Sequence, residues 1–185
     1  KPCVYEEIFW PLKISNEDIP TYLIPIKPVW ALHLFDKNLA DGDLWGADPG
    51  KHFNIENVYY RSSQPCKISA GDRILWYVSS DGKNKVSEIR ACSRVLSVEI
   101  DTAFKLFKKY KRLGIYEWRN LMEITENNPA GEIMAIRFYQ TECFSCPIKL
   151  EQFSVYGING QPFGPKVITN EQFLKIYATG INSNG

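Results

Sequence analysis

"NVYYRSSQPCKISAGDRILWYVSS", residues 57–80, is the stretch on which the reading of the fold turns. Tyr59, Tyr60 and Arg61 precede a turn at Gly71 and Asp72, and that turn feeds "RILWYV", which carries Trp76 and Tyr77. Adjacent residues of a strand point to opposite faces, so Trp76 and Tyr77 cannot line one wall together. One of them faces a core, and the other is free to help form a cleft. "RILWYVSS" (73–80) and "EIRACSRVLSVEI" (88–100) flank "DGKNK" and read as a hairpin.

Upstream, residues 1–28 are punctuated by Pro2, Pro11, Pro20, Pro25 and Pro28. Prolines at this density oppose a long helix or a central strand, so the segment reads as an arm or linker with one strand. "VWALHLF" (29–35) is expected to be the first strand of a main domain spanning 29–180, with 181–185 as a tail. "DKNLADGDLWGADPGKHF" (36–53) reads as a long loop, of the length at which loops are often functional.

Downstream the pattern changes to helix. Asp101 or Thr102 can cap "TAFKLFKKYKRLG", with Ala103, Phe107, Tyr110 and Leu113 on one stripe and Gly114 past its end. "YEWRNLMEIT" (116–125) is a weaker second helix. "GEIMAIRFYQTECF" (131–144) is a strong strand, "CPIKLEQF" (146–153) a short strand or turn, and Thr169 opens a closing helix. Clustered short strands with helices at the ends predict an α+β fold: a small twisted mixed β-barrel with a helical insert and a short C-terminal helix.

Bulk properties exclude several functions. With 185 residues, 44% hydrophobic and 23% charged, the chain has the make-up of one soluble globular domain. Its formal net charge of +1 supplies no global field towards nucleic acid or membrane, so any basic footprint is local. No apolar run reaches the roughly 18–20 residues of a spanning helix, and "KPCVYEEIFW" has neither the basic start nor the apolar core of a signal peptide. It also lacks a starting Met, as expected of a processed product or a piece of a longer protein. Five cysteines, at 3, 66, 92, 143 and 146, make no disulfide framework and suggest reduced thiols and a cytoplasmic location. Cys143 and Cys146 form a C-x-x-C, but no second pair accompanies it to complete a zinc site, and no metal or other cofactor is expected. G-x-S-x-G, H-E-x-x-H, a P-loop and G-x-G-x-x-G are all missing, and His33 and His52 are the only histidines. Catalysis within the chain is therefore not expected.

The aromatics suggest a pocket for something flat. Trp45, inside "DGDLWGADPG", has no obvious core to join, and stacking on such a ring is worth about 1–3 kcal/mol per base. Trp45 with either Trp76 or Tyr60 would make the walls, and Arg61 with Ser62 or Ser79 would meet the base edge or an adjacent phosphate. Lys105, Lys108, Lys109 and Arg112 share one helix face and are the candidate phosphate contacts.

The segment around Gly71 and Asp72 resembles the PUA-like superfamily, and within it the EVE, YTH and ASCH branches. There an Asn- and Arg-containing stretch leads to a Gly-Asp turn and a strand ending in an aromatic and a serine, as Tyr77 and Ser79 do here. "SEIRACSRVLSVE", "GEIMAIRF", "CPIKLEQF" and "PKVITNEQFLKIYATG" are similar to the later strands and closing helix of such domains, so the resemblance covers about residues 25–180. It implies a cleft that binds nucleic acid, often one modified base in an aromatic cage, and DNA and RNA both remain open. Lys85, Glu88 and Arg90 resemble the K-x-x-E-x-R string of ASCH domains, but they follow the Gly-Asp strand, where that family places the string before it. No role is carried over for them. Whole sequences of this kind also resemble the C-terminal part of longer proteins with a GNAT-type acetyltransferase or nuclease-like domain. No R/Q-x-x-G-x-G/A acetyl-CoA loop occurs here, so that resemblance implies a catalytic partner domain in cis. Two other roles are open: a regulatory module that senses a nucleotide-like ligand, and a module that docks a protein through the proline-rich arm.

Overall fold

The computed structural model describes residues 2–36, 56–63, 67–82, 85–113 and 115–182. Helix α1 (Pro2–Ile8) leads to β1 (Thr21–Ile26), α2 (Pro28–Leu34), β2 (Glu56–Ser62), β3 (Arg73–Val78) and the long β4 (Glu88–Thr102). Helices α3 (Ala103–Tyr110) and α4 (Trp118–Ile124) follow. Then come β5 (Glu132–Lys149), a 3-10 helix (Leu150–Tyr156), β6 (Lys166–Ile168) and α5 (Asn170–Ile181). The strands form one six-stranded mixed sheet in the order β2-β5-β4-β3-β1-β6.

The expected hairpin is present: β3 and β4 pair antiparallel, Arg73 opposite Arg94 and Val78 opposite Glu88. Gly71 holds the turn before β3 at φ +91°, and a Cβ there would come 3.1 Å from that of Cys3. Both the positive φ and the close approach of α1 select glycine. β4 and β5 pair along almost their whole length with three register shifts, bulges of the kind that bend and twist long strands.

The three cores follow from strand alternation. Tyr22, Ile24, Ile74, Trp76, Val95, Ile136 and Phe138 point to one face, where α2 covers them with Ala31 and Leu34. Leu23, Leu75, Tyr77, Ile89, Phe144 and Ile148 point the other way, against the 3-10 helix and α5. At the far end of that second face Val58, Tyr60, Ile133 and Ala135 pack under α3 and α4.

Four expectations are corrected. "VWALHLF" is helix α2, not a strand: Pro28 presets φ at the helix start, and a short apolar run does not by its periodicity distinguish strand from buried helix. The one strand expected within residues 1–28 is present as β1, but prolines do not keep it out of the sheet's interior, because it lies between β3 and β6 and is buried along most of its length. Glu6 of α1 is also 2% exposed, ion-paired to Arg73 and, at 2.8 Å, to Arg94. "CPIKLEQF" is no separate strand, since β5 runs on to Lys149.

The fourth correction concerns the barrel. Among the described residues no ladder joins β2 to β1 or β6, so the sheet is open. β6 pairs only with Thr21–Leu23, and the chain before it, Pro162-Phe163-Gly164-Pro165, is too rich in proline to extend the ladder. The Pro20 carbonyl accepts from Arg73 of β3 and the Ile26 carbonyl from Ser79 just after it, so Pro25 presents its edge to the gap on the other side, with no N–H to donate there. Across the gap the Tyr59 hydroxyl donates to the Pro25 carbonyl at 3.1 Å.

Candidate nucleic-acid interface

Two cavities open where β2 faces β1, and both are lined by Lys27, Tyr59 and Arg61. The first, about 240 Å³, adds Pro25, Ser62, Ser79, Phe163 and Pro165. The second, about 210 Å³, adds Trp30, Tyr60, Tyr116, Asn120 and Glu123.

The second lobe is aromatic. Trp30 of α2 lies 4.5 Å from Tyr116 between ring centroids, and Tyr60 meets Tyr116 edge-on at 5.1 Å. Burial pushes the Tyr59 hydroxyl up to about 12 against the opposing pull of Arg61, and raises Tyr60 and Tyr116 as well. At neutral pH all three are uncharged. The amide and carboxylate of Asn120 and Glu123 supply hydrogen-bonding groups at the rim. Asn120 accepts from the Glu117 N–H at 2.8 Å, which turns its amide nitrogen to other work.

Positive charge sits between the lobes. Lys27 is exposed at the start of α2, with no carboxylate partner among the described residues. Arg61 is half-buried and likewise unpaired, and its Nη1 is buried without a hydrogen-bond partner. An orphaned guanidinium nitrogen is costly to bury, and an arriving anion would satisfy it.

The residues singled out in the sequence are placed as follows. Tyr60, Arg61, Ser62 and Ser79 meet at the two lobes. Ser79 donates its hydroxyl to the Ile26 carbonyl at 3.2 Å. Trp76 lines neither cavity: it is fully buried, donates to Ser93 at 2.8 Å and packs against Phe138 and Tyr59. It supports the wall from behind and presents no face to a ligand. Tyr77 is equally buried on the opposite face, so both members of the pair serve cores. Trp45 lies outside the described residues.

The basic helix divides. Lys105 is held by Asp101 at 3.0 Å and Lys109 by Glu99 at 2.6 Å, whereas Lys108 and Arg112 are exposed without a carboxylate partner among the described residues. Thr102 caps this helix, as expected, accepting from the Lys105 N–H. Of the thiols in C-x-x-C, Cys143 donates to the Phe35 carbonyl and Cys146 to that of Asn182, so they point to different neighbours. No group of three metal-ligating side chains occurs among the described residues. Arg90 joins Glu88, at 2.6 Å, and Asp36, tying the start of β4 to the end of α2. That contact is structural.

A larger hollow of about 530 Å³ lies elsewhere, lined by Tyr5, Phe9, Leu12, Glu6 and Lys13. Of its charged groups, Glu6 is committed to the two arginines and Lys13 to Glu142, while Glu17 is exposed at the rim. It offers apolar surface and, among the described residues, no free cation, so it suits a protein contact better than an anionic ligand.

Sequence reasoning missed Lys27, Trp30, Tyr59, Tyr116, Asn120, Glu123 and Phe163 as lining residues. Trp30 was hidden by the strand assignment. Phe163 had a usable signal, because an aromatic between prolines and glycines in "NGQPFGP" has no core to join.

Known structures share this architecture. A serine-to-alanine mutant of the ASCH protein of Zymomonas mobilis superposes with a TM-score of 0.63 at 15% identity, over 86% of this chain and 98% of that one. The same protein without that substitution gives 0.61 at 16%, over 85% and 94%. The fold is PUA-like. The N-terminal domain of McrB from Staphylothermus marinus, with the same kind of fold, gives 0.52 at 13% identity, over 92% and 99%. No family model and no curated protein sequence gives a match. No helix among the described residues is long and apolar enough to cross a membrane.

Proposed function

We propose that the chain is a nucleic-acid-binding domain that accepts one extruded or modified base in the lobe walled by Trp30, Tyr59, Tyr60 and Tyr116. The observation that carries this reading is the pairing of an aromatic cavity with unpartnered cations, Lys27 and the buried Nη1 of Arg61, at its mouth. A neutral planar group suits uncharged rings, and a phosphate suits the orphaned guanidinium. Removing a base from its stack costs a few kcal/mol, which enclosure among several rings can offset. The PUA-like fold supports the reading, since a nucleic-acid cleft is what that resemblance implies. Lys108 and Arg112 would hold the backbone beyond the cleft, while Lys105 and Lys109 contribute less because acids already hold them. The domain acts by binding, and any chemistry belongs to a partner domain in cis.

Fluorescence anisotropy of labelled single- and double-stranded DNA and RNA, plain and base-modified, at two salt concentrations tests this. Binding should weaken with salt, and Trp30→Ala should lose about 5- to 150-fold, the worth of one stacked base. Absence of binding to every oligonucleotide at low salt would overturn the proposal. A second reading, a module that docks a protein partner, is favoured by Tyr5, Ile8, Phe9 and Leu12, which are 55–69% exposed on and just after α1. Loss of partner capture on replacing Ile8 and Phe9 by serine, with no oligonucleotide affinity in the parent chain, would select it.

A further inference from the structure

We infer that the cleft reads a dinucleotide step, with one base in each lobe and the phosphate between them on Arg61 and Lys27. This rests on the nucleic-acid reading above and adds a second nucleoside site to it. Size is the first argument. Ligand sites usually occupy about 300–1,000 Å³. Neither lobe reaches that alone, at about 240 and 210 Å³, but the two together do.

Continuity is the second argument, because Lys27, Tyr59 and Arg61 belong to both lobes. Among the described residues, the only positive charges lining the lobes thus lie where the linker of a two-part ligand would pass. Arg61 Nη1, buried and unpartnered, fits one phosphate oxygen there.

The third argument is Phe163. It is 92% exposed at the rim of the first lobe, in a segment bounded by Pro162 and Pro165. A phenyl ring so placed contributes nothing to a core and leaves a face open to a planar ligand entering the lobe. Pro25 and Pro165 supply further apolar wall, and the Ser62 and Ser79 hydroxyls, the latter already donating to Ile26 and so left as an acceptor, supply polar groups on β2 and after β3. A base stacked on Phe163 would have its edge towards those hydroxyls.

Competition against a bound labelled single-stranded decamer tests the inference, using the full chain with a nucleoside monophosphate, a dinucleoside monophosphate, a trinucleotide and a tetranucleotide. The gain from one nucleotide to two should be about 5- to 150-fold, the range one stacked base supplies. Further nucleotides should add about 2-fold or less each. Phe163→Ala, at a position too exposed to disturb folding, should abolish the gain from one to two, whereas Trp30→Ala should weaken the mononucleotide itself. An even gain at every added nucleotide, or a Phe163→Ala variant that keeps the first gain, would overturn the dinucleotide site while leaving nucleic-acid binding intact. Failure of the decamer itself to bind would overturn both.

Discussion

Replacing Glu6 by glutamine removes the α1 carboxylate that pairs with two buried arginines of the sheet, and its cost follows from burial. Glu6 receives Arg73 Nε at 3.1 Å, Arg94 Nη1 at 2.8 Å and the Ile14 N–H at 2.7 Å. Arg73 is 1% and Arg94 3% exposed, so neither guanidinium can turn to water when its partner is lost. Breaking one buried pair by removing a partner costs about 3–5 kcal/mol, because an uncompensated charge stays behind. Glutamine keeps the shape and one acceptor oxygen, so about 4 kcal/mol is expected rather than the sum of two pairs. For a chain of 185 residues that lowers Tm by about 8–16 °C. Urea unfolding followed by tryptophan fluorescence measures it: the midpoint should fall with the slope m unchanged. Adding Arg94→Met to Glu6→Gln removes one stranded charge and should recover more than about 1 kcal/mol. A loss below about 1 kcal/mol for Glu6→Gln alone would refute the reasoning, since the triad would then be no more than a surface pair.

Two further outcomes follow from the cleft and the basic helix. The Tyr59 pKa is raised to about 12 from 10.0, so its contribution to stability is complete below pH 10 and is lost as pH rises from 10 towards 12. Tyr59→Phe should remove that part of the alkaline loss and cost about 1 kcal/mol at pH 7 through the missing bond to Pro25, both read from urea midpoints across pH. Glu99→Gln should free Lys109 for a phosphate, tightening oligonucleotide binding at low salt and steepening the slope of log K against log salt by about 0.7 for a single strand, as measured by anisotropy.

What the sequence disclosed and what it hid divide along physical lines. The hairpin, the Thr102 and Thr169 caps and the closing helix were legible because each is specified by neighbours in sequence: a turn, a hydroxyl, a period. The Gly-Asp turn carried the resemblance for the same reason, its φ being required locally at Gly71. "VWALHLF" misled because its seven apolar-rich residues fit a strand as well as a helix, and only Pro28 before it favoured the helix. Residues 1–28 misled because a proline was read as excluding an inner strand, whereas Pro25 sits where β1 has already left β6 and needs no donor. Part of the site was visible as one string, Tyr60-Arg61-Ser62, since β2 supplies all three. Lys27, Tyr116 and Phe163 come from elements far apart in sequence, brought together by an open sheet edge that no local pattern encodes. Trp76 was misjudged because an aromatic on a strand buried on both faces has the same local sequence as one beside a cleft.

Backbone amide chemical shifts of the isotope-labelled chain, followed while an unlabelled single-stranded oligonucleotide is added, test the central claim most directly. Perturbations should centre on Lys27, Tyr59 to Ser62, Ser79, Asn120, Phe163 and Gly164, and should saturate together with one affinity. Shifts confined to residues 5–12 of the α1 surface, or none at oligonucleotide concentrations that saturate other binding domains, would contradict it.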